Sequence, residues 1–267
     1  MNIYVDLTNQ FNDERLRAIL SSGQAVVLHR LAIMSKDGDW IVKEDDEALA
    51  FILRTLDRCG ARYRFGAPLD KRWLAGGWSS HFEFIKENMR IRTDFVSRPP
   101  RIDSGRLARI WIEQENRTPP FVDCVDLAEL KKTNREKDYA IIGELSRKLD
   151  KPEDKLRYSR SAREILAMYQ NDPTLVSGIM HERGIAQSAL ANLESLEAAL
   201  DAERRRLMHT NERRLEQYSS AAESWAKTWK EMEKETSGLS LMEAHRIIVK
   251  RATDILPFTI PAGNIYE

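Results

Sequence analysis

The sequence predicts an α+β chain, a small mixed β-sheet flanked by helices and followed by an all-helical C-terminal region with a long helix or helical hairpin. Three observations carry that expectation. Short β-rich runs alternate with helical stretches to about residue 148, and this part holds most of the glycines and prolines of the 267-residue chain. From about 152 to 250 breakers are few, and apolar residues step by threes and fours. Between the two regimes, Asp150-Lys151-Pro152 sets a proline after a charged pair. Domains are therefore expected at 1–150 and 151–267.

The elements follow in order. Ala18-Ile19-Leu20 is a short strand that ends at Ser21-Ser22-Gly23. Residues 24–32 suit a helix and Trp40-Ile41-Val42 a strand. Residues 45–59 put Leu49, Ile52, Leu53 and Leu56 on one helical face, with Gly60 just past the end. Residues 81–84 and 90–96 alternate as neighbouring strands joined at Lys86-Glu87-Asn88. Residues 107–113 form a further apolar run, and 126–149 a long helix that opens at an aspartate suited to capping. The order is αβαβαββ, then helices. In the second part, 159–169 is helical and Asn171-Asp172-Pro173 breaks it. After Gly184 one helical run reaches about Glu235, with Leu193, Leu196, Leu200, Leu207, Leu215, Tyr218, Ala222, Trp225, Trp229 and Met232 in its stripe and a skipped step near Asn211. Unbroken, such a helix would span roughly 75 Å. One small domain cannot cover it, so it folds back as a hairpin or pairs with a second chain, in a homodimer or with a protein partner.

Composition narrows the function. Lys and Arg total 42 against 42 Asp and Glu, so no global excess of positive charge serves a polyanion. The longest apolar runs, such as 25–28 and 110–112, fall far short of the ~20 residues of a membrane span. No basic start leads into an apolar stretch. A cytoplasmic protein without a membrane partner is expected. Cys59 and Cys124 are too few for a disulfide framework or a zinc site of their own, and pack as small hydrophobes.

The sharpest local feature is Ser35-Lys36-Asp37-Gly38-Asp39-Trp40-Ile41-Val42. On a strand, Asp37 and Asp39 leave the same face, ~6.6 Å apart along the backbone. Two such anions repel unless they share a cation, and a hard divalent ion with oxygen ligands, typically Mg²⁺, removes the conflict. Asp beside Gly is also ordinary turn chemistry.

Read outward, 18–29 followed by 35–42 resembles the signature of the nucleotidyltransferase fold: an apolar strand ending at a Gly-Gly or Gly-Ser turn, a helix, then a strand that opens with Asp-x-Asp. Within that superfamily it is most similar to the branch of abortive-infection toxins and minimal nucleotidyltransferases. Their pattern is Gly-Gly-x-Ala, a short helix, Ser/Thr-x-Asp-x-Asp, and later a helix with Lys and Arg-x-x-Asp. The resemblance runs from Ala18 to about Leu149. It implies a third carboxylate at Asp94, with Glu83 as the competitor, and phosphate contacts from Ser22, Gly23 and Gln24. It also implies a triphosphate-neutralising set of Lys131 or Lys132, Arg135 and Asp138. Positions 131, 135 and 138 are spaced by four and three, hence on one face if a single helix spans them; the plainer reading is a solvated face of internal ion pairs. The resemblance further implies two Mg²⁺ ions held by Asp37, Asp39 and Asp94, an NTP donor, and RNA, tRNA in particular, as acceptor of a toxin-like enzyme. Antibiotics and protein hydroxyls serve as acceptors in the wider superfamily. Two departures matter. Gln24 replaces the second Gly or Ser, and Gly38 replaces an apolar residue between the aspartates. They favour the alternative, a catalytically silent scaffold that acts through its helical tail.

Other features carry weaker signals. Trp73, Trp78, Trp111, Phe82 and Tyr63, interleaved with Arg62, Arg64, Lys71 and Arg72, suit either base stacking or a core with snorkelling charges. Arg98-Pro99-Pro100-Arg101 is either a polyanion contact or a stiff loop. His29 and His81 lack metal-ligand spacing. Tyr218, Trp225 and Trp229 form a helix-packing seam.

Overall fold

The structure is a computed structural model and describes residues 2–260. The chain divides into two compact units, Met1–Val122 together with Glu216–Glu267, and Asp123–Leu215. This partition differs from a single cut near Pro152. That proline is the first residue of a helix inside the second unit, where its missing N–H removes no helical hydrogen bond.

The first unit begins α1 (Ile3–Phe11), β1 (Ala18–Ser21), α2 (Ser22–Leu28), β2 (Asp37–Val42) and α3 (Asp46–Arg58). It continues β3 (Arg62–Tyr63), α4 (Lys71–Leu74), β4 (Ser80–Lys86), β5 (Met89–Val96) and α5 (Ser104–Gln114). The five strands form one mixed sheet in the order β1-β2-β5-β4-β3. Strands β2 and β5 are parallel, and the other neighbours are antiparallel.

Local chemistry explains these elements. Asp45 caps α3 by accepting the Ala48 N–H, and Gly60 follows the helix with φ +66°, a conformation glycine adopts without strain. Glu87 and Asn88 both take left-handed φ, 51° and 60°, and close the β4–β5 hairpin with Lys86 opposite Met89. Helix α2 starts two residues earlier than its apolar pattern suggests and ends at Leu28, because Arg30 turns to φ 60°. Strand β2 starts at Asp37, so both aspartates lie within it. The apolar run at 107–113 lies in α5.

Core packing is one-sided. Leu20, Trp40, Val42, Phe82, Phe84, Ile91 and Phe95 point from one sheet face into a core shared with Tyr4, Leu7 and Phe11 of α1 and with Leu49, Ile52, Leu53 and Leu56 of α3. Trp40 stacks on Phe95 at 5.3 Å and meets Phe11 edge-on at 5.4 Å. At roughly 25 cal/mol per Å² of buried apolar surface, this aromatic group is a principal stabiliser of the unit. Because side chains alternate along a strand, the other face is left to the intervening residues.

The second unit holds α6 (Cys124–Leu130), α7 (Glu136–Arg147), α8 (Pro152–Tyr158), α9 (Ala162–Asn171), α10 (Pro173–Glu182), a 3₁₀ turn at Gln187–Ala191, and α11 (Leu193–Ala221), whose last residues, from Glu216, count with the first unit. Leu156, Ile165, Val176, Met180, Leu196 and Leu200 make its core. Two helical expectations are corrected. The stretch 126–149 is two helices, broken over Lys131–Arg135, and the run from Gly184 to Glu235 is a 3₁₀ turn and two helices, with Ala222 between α11 and α12 (Glu223–Glu235). The last helix, α13 (Leu241–Ile255), opens on a reciprocal Ser240–Glu243 capping box. Trp225, Trp229 and Met232 of α12, with Leu241 and Ile248 of α13, complete the first unit's core. No helix among the described residues is long and apolar enough to cross a membrane.

Candidate functional site

Strand register assembles the site. Asp39 is the direct partner of Asp94 across the parallel pair β2–β5, and Asp37 is the partner of Arg92. Direct partners share a face, and so do residues two apart on one strand. Asp37, Asp39 and Asp94 therefore emerge from the sheet face opposite the aromatic core, on strands ~4.8 Å apart. Glu83 lies farther out. It is the partner of Arg92 across β4–β5 and is held by Arg62 at 2.7 Å and Arg90 at 3.0 Å.

The three carboxylates have different surroundings. Asp37 Oδ1 is enclosed and accepts no hydrogen bond; Arg92 Nη1 is 3.9 Å away. Asp94 Oδ1 accepts from His81 Nδ1 at 2.7 Å and from Arg64 Nη1 at 3.2 Å. The backbone of Asp39 is tied to β1, since the Ser21 hydroxyl donates to its carbonyl at 3.1 Å. Their joint field reaches Tyr4 on α1. Burial, reinforced by Asp37 and then by Asp39 and Asp94, pushes the Tyr4 phenol above its ordinary range.

Gln24 and Gly38 are now explained by packing. The Gln24 side chain is buried, with Nε2 donating to the carbonyls of Ser35 at 3.0 Å and Asp37 at 3.2 Å while Oε1 accepts from Asn2 at 3.2 Å. It acts as a strut that fixes the start of β2. A Cβ on Gly38 would lie 2.4 Å from Trp40 Cη2 and 2.5 Å from Tyr4 Cδ1, so glycine lets α1 close on the sheet behind the carboxylates. Gly23 is similarly placed, because a Cβ there would lie 2.2 Å from Ser35 Oγ. Ser22 turns the chain from β1 into α2 with φ 50°. Gly23 thus packs against Ser35 ahead of β2, Ser22 opens α2, and the side chain of Gln24 is committed to the protein.

Lys131, Lys132, Arg135 and Asp138 do not share a single helix. Lys131 ends α6, Arg135 precedes α7 and Asp138 lies in the first turn of α7. They still form a cluster within the second unit. Lys131 Nζ is 3.3 Å from Asp138 Oδ1, both side chains being buried, and Arg135 Nε and Thr133 Oγ1 reach Asp138 Oδ2 at 2.8 and 2.6 Å. Burial opposes ionisation of Asp138, but Lys131, Thr133 and Arg135 outweigh it and hold the carboxyl below its usual range. Lys132 pairs with Glu129 at 2.8 Å and lies over the Tyr158 ring. These are ion pairs internal to the unit.

The aromatic group at 63–82 belongs to the core. Tyr63, Trp73, Trp78 and Phe82 are all buried, and the indoles of Trp73 and Trp78 donate to the carbonyls of Leu256 and Pro257. Arg98 is engaged by Glu44 at 2.6 Å. A contact that sequence reasoning missed is His81 on Asp94. A two-residue turn at Glu87-Asn88 sets Lys86 against Met89 and hence His81 against Asp94, so the turn length was the available signal.

No family model matches the chain, and no curated protein or solved structure matches it significantly.

Proposed function

We propose that the first unit is a Mg²⁺-dependent nucleotidyltransferase that moves a nucleotide from an NTP to an acceptor hydroxyl, with RNA as the acceptor class. The supporting observation is that strand register sets Asp37, Asp39 and Asp94 on one face of adjacent strands, where Asp37 Oδ1 is enclosed and accepts no hydrogen bond. That oxygen has only the Arg92 guanidinium, 3.9 Å away, to offset its charge, and a divalent cation would offset it more fully. An all-carboxylate donor set suits a hard divalent ion. Bound Mg²⁺ supplies charge stabilisation for the attacking and leaving oxygens of an in-line displacement.

The chain's own residues orient the reactants. Asp37 and Asp39 are held by β2, whose start is fixed by Gln24 and by the Tyr4 hydroxyl on the Lys36 carbonyl at 2.5 Å. Asp94 is held by His81 and Arg64. Arg92, beside Asp37, sets a guanidinium where a phosphate oxygen can meet it. In the transfer, the acceptor hydroxyl gives its proton to solvent and its oxygen bonds to the α-phosphorus as the bond to pyrophosphate breaks. Lys131, Lys132, Arg135 and Asp138 are left out of the nucleotide-binding set, because Lys131 and Arg135 pair with Asp138 and Lys132 pairs with Glu129. Gln24 and Gly38 have packing reasons at the start of β2, and these do not require a silent scaffold.

The test is label transfer from each α-labelled NTP to RNA with Mg²⁺. Asp37→Asn with Asp39→Asn is expected to abolish it while leaving the melting temperature within a few degrees. Transfer that survives the double substitution refutes the reading.

A further inference from the structure

Asp94 is held in a selective way. Both donors, His81 Nδ1 at 2.7 Å and Arg64 Nη1 at 3.2 Å, converge on Oδ1, while Oδ2 accepts no hydrogen bond among the described residues. His81 is itself held from behind. Its Nε2 is 2.8 Å from Ser79 Oγ, and Ser79 Oγ is 3.2 Å from the hydroxyl of Tyr218, near the end of α11. An ionised carboxylate can only accept, so His81 donates through Nδ1. Its Nε2 faces the Ser79 hydroxyl, and Ser79 Oγ meets the Tyr218 hydroxyl behind it.

The imidazole has a made-to-measure seat. A Cβ on Gly66 would lie 2.5 Å from His81 Cδ2, so residue 66 is small where the ring passes. The Gly66 carbonyl is pinned by the Trp225 indole at 2.9 Å. Ring position is therefore fixed by Gly66 at its edge, Ser79 at Nε2 and Asp94 at Nδ1. A residue that merely filled space between β4 and the neighbouring loop would need neither polar contact.

We propose that His81 is the positioning residue of Asp94: backed by Ser79 and Tyr218, it fixes the carboxylate by Oδ1 so that Oδ2 is presented to a divalent cation. The inference rests on the carboxylate cluster binding that cation. Partners of this kind, one step behind the ligand, typically change metal affinity 10- to 100-fold when removed.

Mn²⁺ binding to the full chain, followed by the loss of its free-ion EPR signal, tests the idea without any turnover. His81→Leu and His81→Gln are expected to weaken Mn²⁺ binding about 10- to 100-fold. His81→Asn, whose amide nitrogen sits near the Nδ1 position, is expected to stay within about threefold of the unsubstituted protein, although it fills the space less well than Gln. Gly66→Ala displaces the ring without changing it, and is expected to weaken binding in the same direction. A space-filling role predicts the reverse order, with Gln and Leu tolerated and Asn worst. Unchanged affinity in His81→Leu and Gly66→Ala, or Asn as weak as Leu, overturns the proposal while the nucleotidyltransferase reading stands. Absence of Mn²⁺ binding by the unsubstituted protein overturns both.

Discussion

Asp37 and Asp39 depend on the residues that position β2. Behind them, Gly38 is the point where α1 meets the sheet, and Gly38→Ala would press a methyl into Tyr4 and Trp40. Overpacking of this kind costs about 1–3 kcal/mol, to be read as a lower urea midpoint. Gln24→Leu removes three hydrogen bonds, leaves the Ser35 and Asp37 carbonyls without that donor, and is expected to cost about 2 kcal/mol or more. It should also weaken Mn²⁺ binding, because the start of β2 loses its strut. An unchanged midpoint in either variant would contradict the packing account. At this scale the period-two spacing of Asp37 and Asp39 was legible, since it needs no tertiary information. The reasons for Gly38 and Gln24 were hidden, because their partners Tyr4, Asn2 and Ser35 lie on other elements.

Elements show where local pattern and tertiary demand part company. Nothing in Lys131-Lys132-Thr133-Asn134-Arg135 is a Gly or Pro, so the apolar period runs on to Leu149 and suggests one helix. The break is made by side chains: Thr133 Oγ1 accepts from the Arg135 N–H at 3.1 Å and its carbonyl accepts from the Tyr139 hydroxyl at 2.9 Å. The freed end of α6 is then capped from α11, where Asn211 donates to the Lys132 carbonyl at 2.7 Å. That contact accounts for the skipped apolar step at residue 211. The Lys131–Asp138 pair lies behind this break. Asp138→Ala would strand a buried ammonium group, and a loss of about 3–5 kcal/mol is expected from the far-UV CD transition. A loss below about 1 kcal/mol would show that the pair is not structural.

Across the whole molecule, the two units should respond differently to acid. His245 in α13 is driven down to about 4, chiefly by burial, with Arg246 and Arg72 adding to the shift and Asp70 opposing it; its Nδ1 is 2.7 Å from the Tyr63 hydroxyl. Between the ordinary histidine value near ~6.5 and 4, the unfolded chain binds a proton that the folded unit refuses. First-unit stability is therefore expected to fall by about 3 kcal/mol as pH drops through that window. His245→Gln should flatten the dependence. Tryptophan fluorescence isolates the response, since all six tryptophans belong to the first unit. In the second unit Glu203 is also held low, as Arg183 and Arg160 outweigh its burial. With Asp138 it contributes stability that is present above the ordinary carboxylate range near ~4 and lost only as pH falls below it.

The order of strands could not be read from composition or period, because the parallel β2–β5 pair joins segments about fifty residues apart by way of α3 and the β4–β5 hairpin. That pairing is nonetheless what puts the three acids on one sheet face. The most direct measurement is a Mn²⁺ titration of the full chain beside its Asp37→Asn, Asp39→Asn double variant. The account expects two ions bound by the unsubstituted protein and none by the variant at unchanged fold. Equal binding by both would place the ions elsewhere and contradict it.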